Sequence, residues 1–301
     1  MNRVAIESAV KHFTSSRIIL WCSDPLDGNR HFEEIKNLEN VSVRQLTADT
    51  LFDFVDTSKC TFDVSLLKEI YQTIESHITR SNIARAAALY FEGGVYLDID
   101  TLVIRDFAPL LKYPGFLGTE HVLWPYTAIK RYDLYRFLWG PALGWLRKFS
   151  GLMPGGIYLY YLTNRLYSTA VNGAIMGFEK GHPFLAKLLT HSTEVPRSEW
   201  QLKHRLGTHA LQQVVSEYKR NDLKIFDTSH FYPLGPVVSR QYFRPQYNLK
   251  KTMARIIRPS TYAIHWYASV SELMRINPDD LRCMTSKTVF GYLCSPFLKN
   301  I

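Results

Sequence analysis

The stretch SNIARAAALYFEGGVYLDIDTLVIRD, residues 81–106, decides how this chain folds. Ser81 or Asn82 stands where a helix cap belongs, and Ala84, Ala87 and Ala88 give the following helix a small face. Gly93 and Gly94 stop that helix, and VYLDIDTLVI, 95–104, reads as a strand. Helix, double glycine and strand make one α/β unit. The two-residue period of a strand puts Asp98 and Asp100 on one face, with Val95, Leu97 and Ile99 packed into the sheet. Neighbouring carboxylates repel unless a cation or a proton lies between them. A hard divalent ion with oxygen ligands resolves that repulsion, and such ions clamp pyrophosphates. A solvated pair of aspartates ending a strand is the plain alternative, because D-x-D is a common tripeptide.

Outward from this unit the pattern stays α/β. Val4, Ala5, Ser8, Ala9 and His12 fall at helical spacing, and RIILWC, 17–22, reads as a buried strand. SDPLDGN, 23–29, is a turn, VSVRQL, 41–46, alternates as a strand, and TADTLFDFV, 47–55, opens as a capped helix. Residues 64–78 are weakly amphipathic. Helices follow at 183–192 and 208–219, with strands at KIFDT, 224–228, and TYAIHWY, 261–267. The expected organisation is one domain over 1–301 with an insertion at about 121–167.

Composition narrows the class. The 301 residues are 46% hydrophobic and 21% charged, which excludes a disordered, collagen-like or coiled-coil chain. A net charge of +9 suggests an anionic partner. Cys22, Cys60, Cys283 and Cys294 form no C-x-x-C pair, against a structural zinc or a disulfide scaffold. No run of eighteen apolar residues exists to span a bilayer, and MNRVAIESAVKHF lacks the core of a signal peptide. The chain as written is expected to be soluble or peripheral to a membrane.

SNIARAAALYFEGGVYLDID closely resembles the core of the DXD sugar-binding glycosyltransferases, S-D-x-x-R, a hydrophobic stretch, then G-G-x-Y-x-D-x-D. VAIESAVKHFTSSRIIL (4–20), VNGAIMGFEKGHPFL (171–185), LGTHALQQVV (206–215), FYPLG (231–235) and TYAIHWY (261–267) resemble, in order, the animal α1,4-galactosyltransferase and α1,4-N-acetylglucosaminyltransferase group. The resemblance implies a GT-A fold, a Rossmann-like nucleotide-sugar-binding α/β domain. It implies a retaining, metal-dependent enzyme moving galactose or N-acetylglucosamine from a UDP-sugar to a glycan or glycolipid. By the same resemblance Asp98, Asp100 and His265 hold Mn²⁺ or Mg²⁺. Arg85 contacts the donor sugar or phosphate. Ser81, Asn82, Asn172 and Asp98 line the donor, and Gly173 lets backbone approach it closely. On the residues alone, Ser81 also serves as a helix cap, Asn172 as a turn asparagine and His265 as a core histidine. His182, in GHPF, suits a helix start, and Trp21 suits either nucleobase stacking or the core.

Three departures stand out. Asn82 replaces the usual aspartate of that pattern. The family implies a further strand ahead of the first helix, and with it a type II membrane anchor and the Golgi lumen as the compartment. Residues 121–167 carry twelve aromatics, six Lys or Arg and a single acid, Asp133. There Trp124, Tyr132, Tyr135, Trp139, Trp145 and Tyr160 interleave with Lys130, Arg131, Arg136, Arg147 and Lys148. Rings beside cations suit an anionic membrane surface, and a packed helical subdomain suits them equally. Arg240, Arg244, Lys250, Lys251, Arg255 and Arg258 add charge without an acid, but no nucleic-acid motif accompanies them, so no nucleic-acid partner is expected. Two competing classes are weighed. One is a catalytically impaired carbohydrate-binding relative. The other is a haloacid-dehalogenase-type phosphatase, whose first motif D-I-D-T-L also fits but whose later acidic pair would have to be Asp279-Asp280 in a Pro-led polar stretch.

Overall fold

In a computed structural model of the chain the described residues are 2–53, 56–124, 134–202, 204–268 and 287–298. The chain opens with α1 (Asn2–His12), β1 (Ile18–Cys22), α2 (Arg30–Lys36) and β2 (Val41–Gln45). β1 and β2 pair in parallel through the α2 crossover, Ile18 opposite Val41 and Cys22 opposite Gln45. Thr47 caps α3 (Ala48–Phe52) in a capping box. Its hydroxyl accepts from the Thr50 amide at 3.1 Å, and its own amide donates to Thr50 Oγ1 at 2.9 Å. α4 (Val64–Thr73) then leads into α5 (His77–Glu92).

α5 starts earlier than the sequence suggests. Ser76 is its cap, with the hydroxyl accepting from the Thr79 amide, so Ser81 and Asn82 are interior helical residues free for other contacts. Gly93 ends the helix at φ +75°, where a Cβ would also lie 2.8 Å from the Lys180 amide nitrogen. The expected strand 95–104 is broken in two. Gly94–Leu97 is β3 and Thr101–Val103 is β4, and between them Asp98–Asp100 form a turn closed by the Thr101 amide on the Asp98 carbonyl at 3.0 Å. Ile99 lies on that turn and is exposed rather than packed into the sheet.

The remaining elements are β5 (Gly115–Val122), α6 (Leu134–Leu152), α7 (Gly156–Thr163), β6 (Ser168–Phe178), α8 (Pro183–Thr193), α9 (Thr208–Glu217), β7 (Leu223–Phe226), α10 (Thr228–Phe231), α11 (Leu249–Ile256), β8 (Ala263–His265) and α12 (Val289–Leu298). The main sheet runs β3-β6-β5-β7. It is mixed, with β6 antiparallel to both neighbours and β7 parallel to β5. A separate antiparallel pair, β4 with β8, takes the chain away from this sheet at the Asp98–Asp100 turn. The architecture is mixed α/β, consistent with a GT-A-like fold. His182 caps α8, its Nδ1 accepting from the Phe184 amide at 3.1 Å, as its place in GHPF suggests.

β5 and β6, the central strands, escape a propensity reading because glycine interrupts both. The glycines are where aromatic rings cross the sheet. A Cβ on Gly177 would lie 2.0 Å from the Phe116 ring, and one on Gly118 would lie 2.5 Å from Phe231. Opposite Leu117 and Gly118 the β6 register jumps from Met176 to Asn172, so residues 173–175 bulge toward β3.

Two large cores flank the sheet. Leu67, Ile70, Ala87, Leu185 and Val214 join α4, α5, α8 and α9. Val4, Ile157, Tyr160, Tyr242, Trp266 and Phe290 join α1, α7, the 3₁₀ turn Val238–Tyr242 and α12. The aromatics of 121–167 therefore divide. Tyr158, Tyr160, Tyr161 and Tyr167 pack inside, whereas Trp139, Trp145 and Phe149 of α6 face solvent. Lys130, Arg131 and Tyr132 lie outside the described residues, as do the side chains of Tyr135 and Arg136. No helix among the described residues is long and apolar enough to cross a membrane.

Replacing Gly177 with Ala forces Phe116 from its place over the sheet. Gly177→Ala is expected to cost about 1–3 kcal/mol of unfolding free energy, read as a lower urea midpoint. An unchanged midpoint would show that the ring moves aside freely.

Candidate active site

The turn at 98–100 and the end of β8 converge because β4 pairs with β8 in a register that sets Thr101 opposite His265. Asp98, Asp100 and His265 thereby bring one ligand atom each within 4.8 Å of one another. His265 Nε2 lies 3.0 Å from Asp100 Oδ1 and 3.7 Å from Asp98 Oδ2. The two aspartates meet through this turn and not through strand alternation.

The chain after β8 wraps around Asp100. The Trp266 amide donates to the Asp100 carbonyl at 3.0 Å, and the Ala268 amide donates to Asp100 Oδ2 at 2.7 Å. Between them Tyr267 sits at φ +55°, a left-handed conformation that costs an L-residue roughly 1–2 kcal/mol. Its phenol donates to Glu120 Oε2 at 2.6 Å, which pins the wrapped segment to β5. Burial works to raise the Asp100 pKa, but the bonds from His265 and the Ala268 amide outweigh it, and the carboxyl titrates below its usual range. Burial alone would lower the His265 pKa, and its bond to Asp100 raises it instead. Burial raises the pKa of the Glu120 carboxyl, against the bonds from Tyr267 and Asn172.

Arg85 reaches the site from α5. One guanidinium nitrogen lies 3.1 Å from Asp98 Oδ1, the same oxygen that accepts from Tyr96 Oη at 2.7 Å. The remaining donors go to the Ser81 carbonyl and hydroxyl and to the Gly173 carbonyl in the β6 bulge. The guanidinium carbon lies 4.4 Å from the centroid of the Tyr96 ring. With its side chain 10% exposed, Arg85 orients Asp98 and ties α5 to the bulge. Asn172 Oδ1 accepts from the Ala174 amide at 2.7 Å and holds that bulge open, while the Ala174 carbonyl accepts from the Asp98 amide at 2.8 Å. Asn172 is thus a turn asparagine, as the residue reading allowed, placed two steps from the aspartate turn.

Asn82 lies one face over on α5. Its side chain fills the space where a Cβ on Gly207 would sit, 2.3 Å from Nδ2, so it abuts the N-terminus of α9. Trp21 lies near the end of β1 with the Arg44 guanidinium 5.4 Å from its ring, and Arg44 in turn pairs with Glu92. Asp279-Asp280, which the phosphatase reading needs, lies outside the described residues.

Four contributors escaped the sequence. Tyr96 lies within the quoted motif, and its place before a carboxylate was the available signal. Tyr267 likewise stands in TYAIHWY. Tyr232 stands in FYPLG, and Glu120 carried no signal, because β5 was not recognised as a strand. Tyr232 Oη accepts from the Ile175 amide at 3.0 Å and so supports the same bulge.

The donor set fits a divalent cation. Two carboxylates and one imidazole offer hard and borderline ligands, the mixture that suits Mn²⁺. Their side chains are 25%, 14% and 9% exposed, low enough to be held and high enough to be reached. His265 Nδ1 is buried without a hydrogen-bond partner, so the ring is steered by what its Nε2 faces.

A helix, a double-glycine stop and two carboxylates on a turn with a late histidine resemble the site of a DXD glycosyltransferase. Residues 3–117 match the family described as glycosyltransferase sugar-binding region containing DXD motif. Over 119 residues the chain is 28% identical to inositol phosphoceramide mannosyltransferase 3 of Schizosaccharomyces pombe. That similarity takes in 40% of this chain and 20% of the yeast protein's length. Among solved structures the PaToxG glycosyltransferase aligns over 72% of this chain and 64% of its own, at a TM-score of 0.42 and 16% identity.

Tyr267→Phe leaves the Glu120 carboxyl buried without its phenol donor. It is expected to cost about 1–3 kcal/mol of stability and to weaken Mn²⁺ binding by roughly tenfold, measured by urea unfolding and by calorimetric titration of the metal. Mn²⁺ affinity equal to wild type in a destabilised variant would separate the Glu120 contact from the metal ligands.

Proposed function

We propose that the protein is a metal-dependent, retaining glycosyltransferase that moves a hexose or N-acetylhexosamine from a nucleotide sugar, by preference a UDP-sugar, to a glycolipid or glycan. The observation that carries this reading is the convergence of Asp98 and Asp100, inside the segment that matches a DXD sugar-binding region, with His265 from β8. A departing nucleoside diphosphate accumulates negative charge, which a divalent ion held by these three residues offsets when bound. Arg85 and Tyr96 fix the Asp98 carboxylate, and the wrapped segment 266–268 fixes Asp100, so the ligands need no rearrangement as charge develops.

Glu120, a further carboxyl held by this wrapped segment, is 8% exposed and bonded to Tyr267. That commitment suits it to positioning rather than to attack on a sugar. Displacement from the same face, assisted by the departing phosphate, is therefore the route proposed. For the donor, the five ordered segments favour galactose or N-acetylglucosamine, and the name of the yeast relative speaks of mannose. Asn82 is the residue proposed to discriminate. A carboxylate there would face the first amides of α9, a favourable place for negative charge, and would offer sugar hydroxyls a stronger acceptor. For the acceptor, the yeast relative's name speaks of an inositol phosphoceramide, and the apolar outer face of α6 supports a lipid.

The test is release of nucleoside diphosphate from a panel of UDP-galactose, UDP-N-acetylglucosamine and GDP-mannose, with and without Mn²⁺. One donor is expected to turn over only with the metal, and Asp98→Asn is expected to lower that turnover by about 10²-fold. Binding of a donor without release of diphosphate would favour the impaired carbohydrate-binding relative, and phosphate release indifferent to the sugar would favour the phosphatase. Asn82→Asp is expected to change the ranking of donors in the same panel. Identical rankings would put position 82 outside the sugar site.

A further inference from the structure

α6 presents three different faces. Leu138, Trp145, Phe149 and Leu152 recur at helical spacing on an outward stripe, with Trp145 71% exposed. Gly140 and Ser150 face inward. Between the two, Gly144, Arg147 and Lys148 line an open cavity of about 300 Å³ together with Val237 and Arg240. Three cations thus share a small space whose lining holds no acid. None of the three is in an ion pair with a carboxylate among the described residues. Arg240 Nε is buried with no hydrogen-bond partner, a donor left unmet on the cavity wall. Burial lowers the Arg147 pKa, which marks a guanidinium short of compensating charge. Lys148 lies 5.3 Å from the Trp145 ring, at the border between the cavity and the stripe.

We propose that this cavity binds the phosphate of a membrane-lipid headgroup, with Arg147, Lys148 and Arg240 as its cations and the outer stripe of α6 resting in the bilayer surface. Arginine and lysine around a concave pocket supply the charge-assisted donors that a phosphodiester needs. An exposed row of Trp, Phe and Leu beside them supplies what the headgroup layer accepts from an amphipathic helix lying in its plane. Neither half explains the other alone: a soluble anion needs no apolar stripe, and an apolar stripe needs no unpaired arginine. For the acceptor's identity the proposal rests on the glycosyltransferase reading, and it names the acceptor class as a phosphate-bearing lipid.

The experiment is co-sedimentation of the full chain with three vesicle types: phosphatidylcholine alone, phosphatidylcholine with phosphatidylinositol, and phosphatidylcholine with oleate at matched surface charge. Wild type is expected to prefer the phosphatidylinositol vesicles. The double variant Lys148→Gln, Arg240→Gln is expected to lose that preference with roughly tenfold weaker binding. The double variant Lys250→Gln, Lys251→Gln, of equal charge, is expected to retain it. Melting temperatures confirm that each variant is folded, and Lys148→Gln alone, at an exposed position, serves if the double variant is not. Equal binding to the oleate vesicles would overturn the site in favour of charge alone. Release by inorganic phosphate but not by chloride at the same ionic strength supports the pocket, and phosphate bound with no vesicle preference overturns the lipid source. Asp98→Asn is expected to bind the vesicles as wild type does. Vesicle preference with no diphosphate release from any donor would sink the transferase reading and leave this site standing.

Discussion

The structure depends on the way the Asp100 side chain and backbone are enclosed by the segment that follows β8. The carbonyl takes the Trp266 amide, one carboxylate oxygen takes the Ala268 amide, and the other faces His265. These contacts join two parts of the chain more than a hundred and sixty residues apart. They also force Tyr267 through the left-handed region, a strain that persists only because its phenol is bonded to a buried carboxylate. Without that enclosure β4 would have little reason to leave the main sheet. Residues 94–103 would then run on as the single strand their composition suggests, with the two carboxylates in a row along its face.

The bulge in β6 answers the same constraint from the opposite side. Breaking the strand after Leu97 leaves the Asp98 amide in need of an acceptor, and the Ala174 carbonyl is brought to it by displacing residues 173–175. Asn172 holds that displacement, Tyr232 bonds the Ile175 amide, and Arg85 bonds the Gly173 carbonyl. Arg85 thus reads both ends of the device, the bulge and Asp98. Removing its charge would leave Asp98 facing Asp100 with only His265 to compensate, so its effect on chemistry passes through the carboxylate.

What could be read from the sequence follows from which forces are local. The α5 stop at Gly93, the capped start of the helix after Thr47 and the His182 cap are decided within a few residues, and all three were legible. The pair Asp98 and Asp100 with the distant His265 was legible only through a resemblance, since nothing near residue 98 points to residue 265. The helix start at Ser76 was misjudged because Ser81 and Asn82 are equally good caps by type. The central strands were missed for a tertiary reason: Gly115, Gly118 and Gly177 look like loop residues until Phe116, Phe178 and Phe231 are seen lying across them. With β5 unread, Glu120 had no face and no role.

The charge of the chain is distributed with the same division of labour. Around the N-terminal half, cations are matched: Arg3 with Glu7 and Glu34, Arg44 with Glu92, Lys68 with Asp49 and Asp53, Arg197 with Glu69. Across α6, the turn at 238–242 and α11, the described residues Arg147, Lys148, Arg240, Arg244, Lys250, Lys251, Arg255 and Arg258 are in no such pair. Of the rings among these cations, Tyr242 and Phe243 are buried against Trp266, Tyr158 lies beneath Arg255, and Tyr247 is exposed. The cations unmatched among the described residues thus gather in these segments, with exposed rings on α6 and at Tyr247. Unpaired charge repels itself and weakens a compact fold unless a counter-charge is met in use. Eight cations unmatched among the described residues beside an apolar stripe are what the proposed contact with a lipid headgroup layer would engage.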